Sequence, residues 1–197
     1  TNAPLLFSDL SISNLKVERI DDEWKFVSDD FPEVVCELSG FAQEKNGRTV
    51  LAAVKALREI GYEIPDQAVQ EGFAQVVELT GLMGRWQTLQ ENPKIICDTG
   101  HNAHAMKYIA KQLEKETFRQ LHIVFGMVND KDISAALELM PKNAVYYFTK
   151  AQIPRALDEK ILQAKAATFG LTGTSYASVN EALEAAKNNA SERDFIF

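Results

Sequence analysis

The sequence predicts an α/β protein whose second half is a doubly wound, mostly parallel sheet. Beyond residue 84, short apolar runs alternate with amphipathic stretches of helical length, and such alternation requires crossovers that cover the faces of a parallel sheet. Gly81 and Gly84 punctuate a turn-rich joint that separates this half from a differently patterned first part. Between them and Ala105 runs GRWQTLQENPKIICDTGHNAHA, which contains an apolar strand (Ile95, Ile96, Cys97), a tight turn from Asp98 and a helix start at Thr99-Gly100-His101-Asn102.

The first part opens with short apolar or alternating runs at Pro4–Phe7, Leu15–Ile20, Trp24–Val27 and Val34–Leu38. Asp-rich turns such as Asp21-Asp22 and Asp29-Asp30 separate them, so they read as strands of a small meander. From Thr49 the period becomes helical, with Val50, Leu51, Val54 and Leu57 on one face and Gly61 at the C-cap. A second helix starts at Pro65, a residue suited to a first turn, and runs through Val69, Phe73 and Val77 to Gly81. This sheet and its helices are too small to look complete.

The second part is regular. Strands are expected at Ile95–Asp98, Leu121–Gly126, Val145–Thr149, weakly at Ser175–Ala177, and at Phe195–Phe197. Helices are expected at Asn102 to about Glu116, Ile133–Met140, Ala156–Phe169 and Val179–Ala190. The domain boundaries are therefore 1–83 and 84–197, with the chain stopping inside its last strand.

Composition narrows the function. Of 197 residues, 46% are apolar and 25% charged, the balance of an ordinary globular protein. The net charge of −7, with no run of Lys or Arg, argues against nucleic acid as a partner. No apolar stretch approaches the roughly 20 residues that cross a bilayer, and the N-terminus lacks the features of a signal peptide, so no membrane is expected and the cytoplasm is the default location. Cys36 and Cys97 sit in apolar strand-like runs and read as small hydrophobes without a disulfide. Cys97, Asp98, His101 and His104 are close in sequence, but Cys97 and Asp98 point to opposite faces of their strand, so no metal site is assigned. His122 and the Tyr146-Tyr147-Phe148 run read as structural.

In open α/β sheets ligands sit where strands end and helices begin, because unpaired helix N–H groups and the helix dipole attract anions there. Asp98 at a strand end suits a sugar hydroxyl or a cation, and Arg85 has the chemistry to neutralise a phosphate.

These residues also carry a resemblance. GRW, a spacer and an apolar strand ending in Asp98-Thr99-Gly100-His101-Asn102 resemble the start of the C-terminal domain of the folylpolyglutamate synthase/dihydrofolate synthase family, in the Mur ligase superfamily, where D-G-A-H-N is expected. Thr99 replaces a usual Gly and Ala103 a frequent Pro. Upstream, Leu38 to Asn46 resembles L-x-G-x-x-Q-x-x-N. Downstream, Gly126 with Asp130-Lys131-Asp132 resembles G-x-x-x-D-K-D, and Pro154-Arg155-Ala156-Leu157 resembles a later P-R-A-L element. Four motifs in order are specific where each alone is weak.

The resemblance implies a partial central ATPase domain followed by a Rossmann-like ligase domain. It implies an ADP-forming ligase using ATP and Mg2+ to join L-glutamate to a pteroate or folate through an acyl phosphate, acting as a monomer. The family's phosphate loop, G-T-x-G-K-G-S, is missing, so the chain is expected to be the C-terminal portion of a longer protein, inactive alone, with the magnesium ligands upstream. By the same resemblance Asn46 would bind the adenine edge and Asp98 the ribose hydroxyls. His101 and Asn102 would lie near the phosphates, Arg85 would stabilise the transferring phosphoryl group, and Lys131 with Asp132 would lie near the incoming amino acid.

Each residue has a plainer reading. Asn46 would cap the helix near Thr49, Arg85 would be a surface ion-pair residue, and His101 and Asn102 would cap their helix. Lys131 and Asp132 would be a solvated helix start, with Asp132 the N-cap. Two rival functions stand beside the folate ligase: a peptidoglycan-precursor ligase of the same superfamily, and a non-catalytic Rossmann-like binding module.

Overall fold

The computed structural model describes residues 5, 7–129 and 133–197. The chain divides into two compact units, residues 1–85 and 86–197.

In the first unit a one-turn helix, α1 (Ser8–Ser11), precedes β1 (Lys16–Ile20), β2 (Glu23–Val27) and β3 (Val34–Cys36). The three strands form an antiparallel sheet in the order β1-β2-β3, with Trp24 opposite Cys36 and Phe26 opposite Val34. Alternation sends Trp24, Phe26, Val34 and Cys36 to one face, where they meet Leu51, Val69 and Phe73 from the helices. Of the expected strand at Pro4–Phe7, residues 4 and 6 lie outside the described residues, and Leu5 and Phe7 are in no strand.

Helix α2 (Gln43–Glu59) starts six residues before Thr49. Its buried stripe is Gln43, Gly47 and Leu51, and the first two give no apolar signal to a periodicity search. A Cβ at Gly47 would enter the Phe26 ring, so glycine is what lets the helix lie this close to the sheet. The expected single helix from Pro65 is two: α3 (Asp66–Ala74) and α4 (Val76–Thr80) break at Gln75, whose φ/ψ of −132°/37° is not helical.

The second unit contains β4 (Gln87–Glu91), β5 (Lys94–Cys97), α5 (Ala103–Leu113), β6 (Leu121–Phe125), α6 (Ile133–Glu138), β7 (Ala144–Phe148), α7 (Glu159–Ala167), β8 (Gly173–Ser175), α8 (Val179–Asn189) and β9 (Phe195–Ile196). The sheet order is β4-β5-β9-β6-β7-β8. Every neighbouring pair is parallel except β4 with β5, which form an antiparallel hairpin.

From β5 through β8 the chain steps one way across the sheet, and from β8 it returns to β9. Because βαβ crossovers are right-handed, α5, α6 and α7 must lie on one face and α8 on the other. The cores agree. Ile96, Ile123, Phe125, Tyr146, Phe148 and Phe195 pack with Met106, Leu137 and Leu162, while their strand neighbours Ile95, Val124, Tyr147 and Ile196 pack with Ala182, Leu183 and Ala186. The sheet is doubly wound and mostly parallel, as its alternating sequence predicts.

The last strand is the interior one. Phe195 pairs with Lys94 on one side and Leu121 on the other, and Phe197 extends the ladder by exchanging backbone hydrogen bonds with His122 and Val124. Among the described residues no helix is long and apolar enough to cross a membrane.

Candidate active site

All the parallel strands of the second unit end at one edge, and there the loops after β5, β6 and β7 gather. Asp98 follows β5 directly, and each of its carboxylate oxygens accepts a backbone N–H: Oδ2 from Trp86 at 2.8 Å and Oδ1 from Gly100 at 2.7 Å. The carboxylate thus ties the residue that starts the unit to the loop that leads into α5. An ionised acceptor makes such bonds shorter and stronger than neutral ones.

Trp86 needs that support. Its φ of 53° is left-handed, a conformation that costs a non-glycine residue about 1–2 kcal/mol. The indole is 4% exposed and packs against Phe197 and Phe195, with ring centroids 5.4 and 6.5 Å away. Gly100 is pressed as closely: a Cβ there would lie 2.6 Å from Ile109 Cδ1 and 3.0 Å from Asp98 Oδ1.

His101 and Asn102 follow on the exposed side of the loop. Asn102 is the N-cap of α5, its side chain accepting the Ala105 N–H at 2.9 Å. His101 Nδ1 lies 3.2 Å from the Thr99 carbonyl, a hydrogen bond when the proton is on Nδ1. The loop therefore brings a carboxylate, an imidazole and the N-terminus of an eleven-residue helix to the strand edge. A hollow of about 210 Å3 opens beside Asp98 and Gly100, between them and Gly126, Leu183 and Phe197.

Beyond β6 and β7 the loops are stitched together. The Leu157 N–H donates to the Met127 carbonyl at 2.8 Å, the Asn129 N–H to the Arg155 carbonyl at 2.9 Å, and Val128 bridges Ala156. This stitching explains why α7 begins at Glu159 rather than Ala156. Lys150, just past β7, lies 2.7 Å from Glu159 and 3.2 Å from Asp158, the N-cap of α7. Hydrogen bonding to Glu159, then Asp158, raises the Lys150 pKa, and Lys150 lowers those of both carboxyls. Lys150 is not among the expected site residues, although it stands close behind a strand in the sequence, the same signal that marks Asp98.

The remaining expected residues are placed as follows. Asn46 is exposed in the first turn of α2, its backbone N–H bonded to Ala42 and its side chain donating to Gln43 Oε1 at 3.0 Å. It does not cap a helix at Thr49, because the helix has already begun. Arg85 is half-buried, with Nη1 3.3 Å from the Gly84 carbonyl. Lys131 and Asp132 lie outside the described residues. Among the described residues no group of three or more His, Cys, Asp or Glu is arranged to hold a metal ion. His104 turns instead to Tyr108, edge to face at 5.3 Å.

Residues 84–197 match the family described as Mur ligase, glutamate ligase domain. The chain belongs to the Mur ligase family. It is similar to the dihydrofolate synthase/folylpolyglutamate synthase of Escherichia coli, 33% identical over 158 residues, which are 78% of this chain and 34% of that protein. The solved structure of E. coli FolC in complex with ADP, without folate substrate, superposes with a TM-score of 0.68 at 25% identity, over 92% of this chain and 42% of that one. Mycobacterium tuberculosis folylpolyglutamate synthase, complexed with ADP and AMPPCP, has the same fold: TM-score 0.76, 22% identity, 95% of this chain and 45% of that one. The chain thus spans about a third of the length of its curated E. coli relative. In this Mur ligase domain the Asp98–Asn102 loop stands at the strand edge where doubly wound sheets take their ligands.

Proposed function

We propose that this chain is part of an ATP-dependent, ADP-forming ligase that adds L-glutamate to dihydropteroate, folates or both. The observation that carries the reading is the glutamate ligase domain match over residues 84–197, with a carboxylate, a histidine and a helix N-terminus gathered at the strand edge of that domain. The similarity to dihydrofolate synthase/folylpolyglutamate synthase supports the choice of a pterin acid over a peptidoglycan precursor.

In the proposed reaction the substrate carboxylate takes the terminal phosphoryl group of ATP and ADP leaves. The α-amino group of glutamate then attacks the acyl carbon and expels phosphate. Little covalent chemistry falls to the protein; its work is to gather and neutralise charge. We assign Arg85 to the transferring phosphoryl group, Asp98 to the ribose hydroxyls and His101 with Asn102 to the phosphates. Asn46 is assigned to the adenine edge, and Lys131 with Asp132 to the incoming glutamate. The α5 N-terminus and its imidazole fit an anionic ligand. Magnesium belongs to the same proposal, and none of the residues assigned here is given to it. A monomer in the cytoplasm completes the proposal, and the chain alone is expected to be inactive because it has no phosphate loop.

The test is ADP release by the full-length ligase proposed to contain this chain, given ATP, magnesium and L-glutamate, with dihydropteroate or tetrahydrofolate in separate reactions. ADP formed only when a pterin and glutamate are both present supports the reading and identifies the acid. No ADP with either pterin, and ADP with a nucleotide-linked muramyl precursor, overturns it in favour of the peptidoglycan branch.

A further inference from the structure

Asp98 has a second task that a ribose-binding role does not require. Its two oxygens accept from backbone groups twelve and two residues away, Trp86 N–H and Gly100 N–H. Trp86 follows Arg85 directly and stands in the left-handed region at φ 53°. Gly100 precedes His101 and has no room for a side chain between Ile109 and Asp98. One carboxylate therefore fixes the backbone beside Arg85 and the backbone beside His101.

We propose that Asp98 is a positioning residue that latches the start of the ligase domain to its ligand loop, so that Arg85 and His101 are presented from one fixed backbone frame. This rests on the ligase reading for its consequence in turnover, but the latch itself is a property of residues 86–100. Three features converge on it. A left-handed tryptophan persists only where surroundings over-determine it, and here the Asp98 bond and the aromatic seat on Phe195 and Phe197 both act on the same residue. The hydrogen bonds are charge-assisted and short. Each carboxylate oxygen accepts an N–H, a pattern an amide cannot reproduce because its nitrogen side donates.

The experiment compares wild type with Asp98→Asn and Asp98→Ser in the full-length ligase, reading amide hydrogen exchange at Trp86 and Gly100, kcat, and KM for ATP. In Asp98→Asn, exchange at one or both amides accelerates by about tenfold or more. Exchange at Ile123, buried in β6, stays at the wild-type rate and reports an intact fold. In Asp98→Ser the short hydroxyl still reaches Gly100 N–H in a local turn but not Trp86 N–H, so only Trp86 loses protection. Turnover falls by about tenfold or more because the frame is lost, and ATP KM rises as the assigned ribose contact is lost with it. Unchanged exchange at both amides in both variants overturns the latch. A raised ATP KM with unchanged kcat also overturns it, by reducing Asp98 to a nucleotide contact. If the wild-type enzyme shows no glutamate-dependent turnover, the ligase reading fails, and the exchange rates still decide the latch.

Discussion

Asp194 and Arg119 meet through two hydrogen bonds of 2.9 and 3.0 Å, the carboxylate fully buried and the Arg119 side chain 61% exposed. Asp194 precedes β9 and Arg119 lies just before β6, so the pair holds the last strand at its interior place in the sheet. The Ser191 N–H donates to the same carboxylate at 2.7 Å, and His122 Nε2 stands 3.5 Å away. Hydrogen bonding to Arg119 holds the Asp194 carboxyl well below the usual carboxylate range.

That shift fixes the sign of a pH dependence. A carboxyl whose pKa is lower folded than unfolded, where it is about 3.9, contributes stability at neutral pH and loses it as pH falls. Chemical denaturation of wild type and Asp194→Asn should differ by about 1–3 kcal/mol at pH 7, with wild type the more stable. The difference should hold down to about pH 5 and shrink steadily below it. A difference that grows on acidification contradicts the assignment.

Trp86 offers a reversal of the usual order of substitutions. Trp86→Ala loses the ring and keeps the left-handed penalty, for a total of about 3–5 kcal/mol. Trp86→Gly loses the same ring but adopts φ 53° freely, so it should be the milder change by about 1 kcal/mol. Thermal denaturation of the two variants measures this, and an alanine variant as stable as the glycine one would mean that Trp86 is not left-handed in solution.

Gly47 sits inside α2, where alanine would normally be preferred by about 1 kcal/mol. Here a methyl group would enter the ring of Phe26, itself 1% exposed and unable to retreat without disturbing the core. Gly47→Ala should therefore destabilise the protein by about 1–3 kcal/mol, and pairing it with Phe26→Leu should recover part of the loss. A stabilised single variant would show that helix and sheet are farther apart.

Asn102 and His101 are adjacent and separable. Asn102→Ala removes the α5 cap and should cost about 1 kcal/mol in stability, whereas Asn102→Asp should cost little. His101→Ala, at an exposed position, should leave the melting temperature unchanged and weaken nucleotide binding by the full-length ligase. Calorimetry on both variants separates helix capping from ligand contact.

Much of the second unit was legible because its chemistry is local. The run Tyr146-Tyr147-Phe148 announces a strand with bulky groups on both faces, and the structure divides it as alternation requires, Tyr147 to the α8 side and its neighbours to the other. The position of β9 was not legible, since two apolar residues near the chain end carry no information about which strands they will separate. Strand β4 was missed because Gln87–Glu91 is polar and half-exposed, an edge strand with only Leu89 as an apolar signal. Asp98 was readable as a residue at a strand end and its bond to Gly100 is a local turn, but its bond to Trp86, twelve residues away, depends on the hairpin that β4 makes with β5. The start of α2 was obscured by Gln43 and Gly47, which are buried for reasons of fit rather than hydrophobicity.

The reaction proposed for this ligase is the transfer of L-glutamate to a pterin acid. Its most direct test is the product: the full-length ligase is given ATP, magnesium, isotopically labelled L-glutamate and dihydropteroate or tetrahydrofolate, and the pterin is weighed by mass spectrometry beside the ADP released. The expected product is a pterin heavier by one labelled glutamyl residue for each ADP formed, with no such product from Arg85→Ala. ADP released without labelled pterin, or label attached to another acceptor, would contradict it.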